Sequence, residues 1–76
     1  MMKNIQNFTA IIEKENDGFV ALCPELDIAS QGDTVEEAKS NLQEAIELFF
    51  EHASKEEIVS RLKTDVFITN VQIAVA

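Results

Sequence analysis

The sequence predicts a single α+β domain over residues 1–76, in the order β-β-β-α-(α)-β. The expected architecture is a four-stranded mixed sheet of order 3-2-1-4 with one long helix packed on one face. Three observations predict it. Residues 32–53 carry a helix with its start signal written in full, residues 5–31 read as short strands separated by turn residues, and residues 65–76 alternate as a last strand.

The long helix organises the rest. Gly32 is free to take the positive φ that turns the chain out of a preceding strand. Asp33 or Thr34 can cap, and Thr34 with Glu37 three residues on forms a capping box. Glu36 and Glu37 sit where the positive end of the helix dipole favours carboxylates. Val35, Ala38, Leu42, Ala45, Ile46, Phe49 and Ala53 recur at steps of three and four as the inward stripe. Near the end the stripe broadens, because the consecutive Leu48, Phe49 and Phe50 sweep about 200° of the helix circumference. One sheet does not bury so wide an arc, so a second apolar surface is expected to meet this end. It is either a later segment or another subunit.

Taken in order, residues 1–4 are a weakly held start. Residues 5–13 form the first strand, with Phe8, Ala10 and Ile12 on one side and Thr9, Ile11 and Glu13 on the other. Residues 14–18 close on Asp17-Gly18, a hairpin signal. Residues 19–23 are apolar throughout, which predicts cover on both faces, and Pro24 ends this second strand. Residues 27–31 make the third strand. Ser54 with Glu57 opens a shorter helix carrying Ile58, Val59 and Leu62, the nearest cover for the broad end of the long helix. In the last stretch Phe67, Thr69, Val71, Ile73 and Val75 share one face. Two hairpin links and one right-handed crossover would lay this fourth strand parallel to the first. It carries no charge from Val66 to Ala76, so a free edge there would invite association. A second copy of the chain is expected over that edge, or over the sheet face away from the helix, as a dimer or tetramer. Phe50, Phe67, Val71 and Ile73 are the candidate oligomer contacts.

Composition narrows the function. At 76 residues the chain buries only about 60% of its unfolded surface, so stability is marginal without a staple or partner. Cys23 is the sole cysteine; it forms no internal disulfide and points to a reducing, cytoplasmic setting and an ordinary core role. One Cys and one His fall short of a structural zinc site. Neither a secretory leader nor an apolar run of about 20 residues is present, so no membrane association is expected. Fourteen acidic against six basic residues give a net charge of −8. Such a surface repels phosphate backbones and suits a basic protein partner, or serves solubility alone.

No nucleophile-and-base set and no phosphate-cradling loop appear in the sequence, and no catalytic, cofactor-binding or metal-ligating residue is assigned. The one enzymatic alternative is a divalent-metal nuclease built on Asp17, Glu25, Asp27, Asp33 and Glu36. The same residues serve as turn, cap and solvating groups, and the basic residues a nucleic acid would need are scattered. His52 falls in the last turn of the long helix, where a partly charged imidazole suits the dipole.

Residues 17–48 also resemble the N-terminal domain of HicB-type antitoxins. The likeness rests on Asp17-Gly18-Phe19, Pro24-Glu25-Leu26 and Gly32-Asp33-Thr34-Val35-Glu36-Glu37-Ala38, with the preceding strand from Phe8 to Glu13. The resemblance implies a partial ribonuclease H-like fold without nuclease activity. It also implies a small basic HicA-like toxin as partner, an mRNA-degrading protein of double-stranded-RNA-binding fold that the domain would mask. Fuller family members add a DNA-binding segment that represses their own operon; this sequence does not show it, so operator binding and autorepression are not implied, and the acidic balance makes direct nucleic-acid binding unexpected. Short members of the family without a demonstrated toxin give a further alternative, an oligomeric domain of other role. For partner contact the candidates are Glu25, Asp27, Asp33 and Glu36.

Overall fold

The computed structural model describes residues 5–63 and 65–76. The weakly held start expected at residues 1–4 lies outside them. Three strands, β1 (Ile11–Glu15), β2 (Gly18–Cys23) and β3 (Ile28–Gly32), precede two helices, α1 (Val35–His52) and α2 (Lys55–Arg61). The strands form an antiparallel sheet in the order β1-β2-β3.

This overturns the four-stranded mixed sheet of order 3-2-1-4. Residues 65–76 make no strand. Phe67, Val71, Ile73 and Val75 are all more than 70% exposed. The reason is physical: alternation gives residues a preference for a pleated surface, but a strand exists only where an edge pairs with it. α2 ends against the body, with Leu62 packed on the core and the Lys63 N–H donating to the Glu25 carbonyl at 2.7 Å. The segment beyond then projects from the body, and the described residues span 55 × 29 × 22 Å.

The β1–β2 hairpin pairs Glu15 with Gly18 across a two-residue turn, Asn16-Asp17. The positive φ falls at Asn16 (54°), not at Gly18. Neither glycine uses the left-handed region; both are required by close approach. A Cβ on Gly32 would stand 2.5 Å from the Ala38 nitrogen and 2.8 Å from the Glu37 carbonyl carbon, and one on Gly18 would stand 2.9 Å from the Gly32 carbonyl oxygen. The turn into α1 therefore passes directly beneath the first turn of the helix, and the hairpin tip packs on that crossing.

Register sorts the sheet into two faces. Ile12, Ala21 and Ser30 align on one row, and Phe19 and Gly32 on the next of the same face. Above them α1 lies mainly over β3, less over β2 and least over β1. The core is Ala21, Cys23, Leu26, Ala38 and Leu42, with Phe8, Ile12, Phe19, Ile28, Ile46, Phe49 and Leu62 packed around it. The opposite row of Ile11, Leu22 and Ala29, with Val20, points away from the face that α1 covers. Val20 and Leu22 are half-buried, so the double cover expected for β2 is found on one face only.

The caps follow the sequence. The Glu37 N–H donates to Thr34 Oγ1 at 3.0 Å, and the Glu57 N–H to Ser54 Oγ at 3.1 Å. The return bond of the first box reaches one residue further back, from the Asp33 N–H to Glu37 Oε1 at 2.9 Å. Val35, expected inward, is 41% exposed because it stands at the first residue of α1, outside the core cluster. At the broad end of α1 the arc is met from two sides. Phe50 stacks against Phe8 at 5.7 Å between ring centroids, and the Arg61 guanidinium of α2 lies 5.6 Å over the Phe49 ring. Leu48 stays 47% exposed.

Candidate functional site

The sheet has two ends of different chemistry. At the β2–β3 turn, Pro24 stops the ladder and sets Glu25 beside the residues that lead into β1. The Glu25 carboxylate accepts from Thr9 Oγ1 at 2.6 Å and from the Thr9 N–H at 3.1 and 3.2 Å, and the Cys23 thiol lies 3.5 Å away. Partial burial opposes ionisation of Glu25. The donated hydrogen bonds, first from the Thr9 hydroxyl, outweigh it and hold the carboxyl below its ordinary value. Burial pushes the Cys23 thiol up, and the neighbouring Glu25 adds to this. Cys23 is therefore a neutral core group rather than a nucleophile.

Asp27 turns the corner with φ 55°, a left-handed conformation that a short polar side chain tolerates. Arg61 reaches back from α2 to the same corner, with Nε donating to the Leu26 carbonyl at 3.0 Å and Nη2 to the Asp27 carbonyl at 3.4 Å. Leu26 beneath it is fully buried. This end is cross-braced by its own side chains.

At the opposite end the hairpin tip faces the start of α1. Between them lies an open groove of about 460 Å³ lined by Glu15, Asp17, Asp33 and Glu37 among others, with no basic side chain in its walls. All four are exposed, and Glu36 follows on the first turn of α1. Capping and the helix dipole account for Glu36 and Glu37 at this place. Asp17 and Glu15 belong to the other element, and the fold brings them alongside.

The four candidate contact residues are thus not one site. Glu25 and Asp27 lie at the braced end, Asp33 and Glu36 at the open one. The five carboxylates of the nuclease alternative divide in the same way, with Asp17 joining the open end. Among the described residues no group of three or more His, Cys, Asp or Glu is placed to hold a metal ion. His52 is exposed in the last turn of α1. Of the candidate oligomer contacts, Phe50 packs on Phe8, whereas Phe67, Val71 and Ile73 stand together on the projecting segment.

Sequence reasoning passed over Thr9 and Arg61, the residues that tie the braced end together. Their partners are 16 and 34 to 35 positions away, so no local spacing announces them. In the sequence Arg61 was only one of the scattered basic residues.

Fold and site together define a small acidic α+β module: a three-stranded meander under one long helix, braced at one end and open at the other. The chain belongs to the UPF0150 family. It is 38% identical to a UPF0150 protein of Helicobacter pylori over 68 residues, covering 88% of this chain and 94% of that one. It is 55% identical to a UPF0150 protein of Synechocystis sp. over 51 residues, covering 64% of this chain and 65% of that one. A second Synechocystis UPF0150 protein is 53% identical over 45 residues, covering 57% of this chain and 62% of that one. Against these two the match spans slightly less than two thirds of the relative's length. No family model and no solved structure matches the chain. No helix among the described residues is long and apolar enough to cross a membrane.

Proposed function

We propose that this protein is a HicB-like antitoxin domain, a non-catalytic cytoplasmic module that binds and masks a small basic mRNA-degrading toxin. The observation that carries the reading is the open end of the sheet. Glu15 and Asp17 from the hairpin and Asp33 and Glu37 from the helix start converge on one groove without a basic neighbour in its walls. With a net charge of −8 behind it, such a groove attracts a cationic surface from a distance and orients it on approach. The likeness of residues 17–48 to HicB-type domains supports the identity of that partner. Those residues build both walls of the groove apart from Glu15 and Asn16.

Asp17, Asp33 and Glu36 are the contact residues on this reading. Glu25 supports the fold instead, since its carboxylate is already engaged by Thr9. The test is co-expression with the product of the neighbouring reading frame, followed by purification and a ribonuclease assay. A short basic protein that co-purifies, and whose RNA cleavage stops when this chain is added, is the expected result. Binding should weaken steeply with salt, because exposed charges are screened over about 10 Å at 0.1 M. A neighbouring product that neither binds nor cleaves RNA would overturn the proposal.

A further inference from the structure

Two unsatisfied surfaces of this chain match each other. The first is the segment 65–76, with Phe67, Ile68, Val71, Ile73 and Val75 between 59% and 87% exposed. Scattered exposed apolar residues are ordinary, but five within one short segment, four of them on one face, mark an interaction surface. The second is a groove of about 940 Å³ between residues 5–10 and α1, with Phe8, Leu42, Ile46 and Phe50 in its walls. It exists because α1 favours the β3 side of the sheet and leaves the β1 side thinly covered. Residues 5–10 run into β1 but have no ladder partner of their own, and β1 is an edge strand.

We propose that the segment 65–76 of one copy lies in the groove between residues 5–10 and α1 of a second copy, as a strand added along the β1 edge. Reciprocal exchange about a two-fold axis covers both grooves and both segments, which closes the assembly at a dimer. The hydrogen bonds come from the backbone edge, and the specificity from alternate side chains. Phe67, Val71, Ile73 and Val75 share the face that enters the groove, and Ile68, Asn70 and Gln72 share the outward face.

Length and charge favour this occupant. Twelve extended residues reach about 40 Å, against about 27 Å for an 18-residue helix, so the segment spans the groove. The groove rim is mostly acidic, with Glu44, Glu47 and Glu51 against the single basic Lys39. From Val66 to Ala76 the segment has no charged side chain, so seating it sets no like charge against that rim. The Lys63 N–H holds the chain at the Glu25 carbonyl just before the segment, and no residue of 65–76 lines the groove of its own copy.

The experiment uses the full chain. Sedimentation at micromolar concentration should give a dimer. A one-to-one mixture of isotope-labelled and unlabelled chains should show nuclear Overhauser contacts from the Val71 and Ile73 methyls to Leu42 and Ile46 of the other copy. The double variant Val71→Glu with Ile73→Glu should self-associate at least about thirty-fold more weakly, as loss of a central anchor pair does. Gln72→Glu on the outward face should associate like the parent. A monomeric parent chain, tail-to-groove contacts within one copy, or a double variant that dimerises normally would each overturn the proposal. The mixed-label measurement decides the matter even where the double variant fails to fold.

Discussion

Both ends of the sheet carry acidic residues, yet they do opposite work. At the β2–β3 corner Glu25 is consumed internally by Thr9, and Arg61 clamps the Leu26 and Asp27 carbonyls. At the hairpin end the carboxylates of Asp17 and Asp33 stand on two elements that merely pass each other, with solvent between. A carboxylate's role is thus set by what the fold brings within hydrogen-bond reach, not by its neighbours in sequence. The braced end should register substitutions as stability and the open end as binding. One exception sits at the open end, where backbone crosses backbone.

That exception gives the largest expected effect. Gly32→Ala places a methyl 2.5 Å from the Ala38 nitrogen, and neither backbone can yield without lifting α1. A cost of about 3 kcal/mol is expected, enough to unfold a marginal domain of this size. Gly18→Ala meets one carbonyl oxygen at 2.9 Å and should cost about 1–2 kcal/mol. Urea titration followed by helix circular dichroism checks both. Equal effects would mean that the crossing is looser than its geometry.

At the braced end Leu26→Ala should cost about 2–3 kcal/mol, since Leu26 is fully buried at the corner that Arg61 clamps. Arg61→Ala should cost about 1–2 kcal/mol through its lost carbonyl contacts and the uncovered Phe49 ring. If Arg61→Ala leaves the urea midpoint unchanged, α2 is only tethered and the braced end is no more rigid than the open one.

The same end sets the pH dependence. Glu25 has its carboxyl held below the ordinary value in the folded chain, so it contributes stability above the unfolded carboxylate range near pH 4. That contribution disappears as pH falls through the folded value. Cys23 works at the other limit. Its thiol is raised by burial, so its neutral form supports the fold below the ordinary thiol range, and this support is lost as pH climbs through the folded value. Denaturation midpoints against pH should fall at both extremes. In Glu25→Gln the acid limb should flatten, and a limb that stays unchanged would remove Glu25 from the account.

How much of this was legible beforehand follows from the range of each interaction. Thr34 and Ser54 announced their helices because a cap and its partner are three residues apart. The hairpin was legible at Asp17-Gly18, though the turn falls one residue earlier, on Asn16-Asp17, and Asn16 takes the positive φ. Residues 65–76 misled because alternation reports a side-chain pattern and says nothing of which edge is free to pair. Gly32 was singled out for a conformational freedom it does not use; its need for a bare Cα comes from the close approach of the Ala38 backbone, a contact set by the fold and not by local spacing. The candidate contacts Glu25 and Asp33 looked alike in sequence, and long-range partners separated them.

The smallest effect on stability is also the sharpest test of the comparison. Asp17→Asn and Asp33→Asn remove charge from exposed positions facing the groove without touching the Thr34 cap or the Glu37 return bond, which uses the Asp33 backbone. Each should change stability by no more than about 0.5 kcal/mol, the usual range for surface substitutions. Their effect on a basic partner should be larger and should appear in the association rate, because rim charges act mainly on encounter. Raising salt should shrink the difference between variant and parent. The matching change at the other end, Glu25→Gln, should do the reverse, lowering stability by about 1–2 kcal/mol while leaving the association rate unchanged. If the two ends respond alike, their carboxylates form one continuous acidic surface, and the division into a braced and an open end fails.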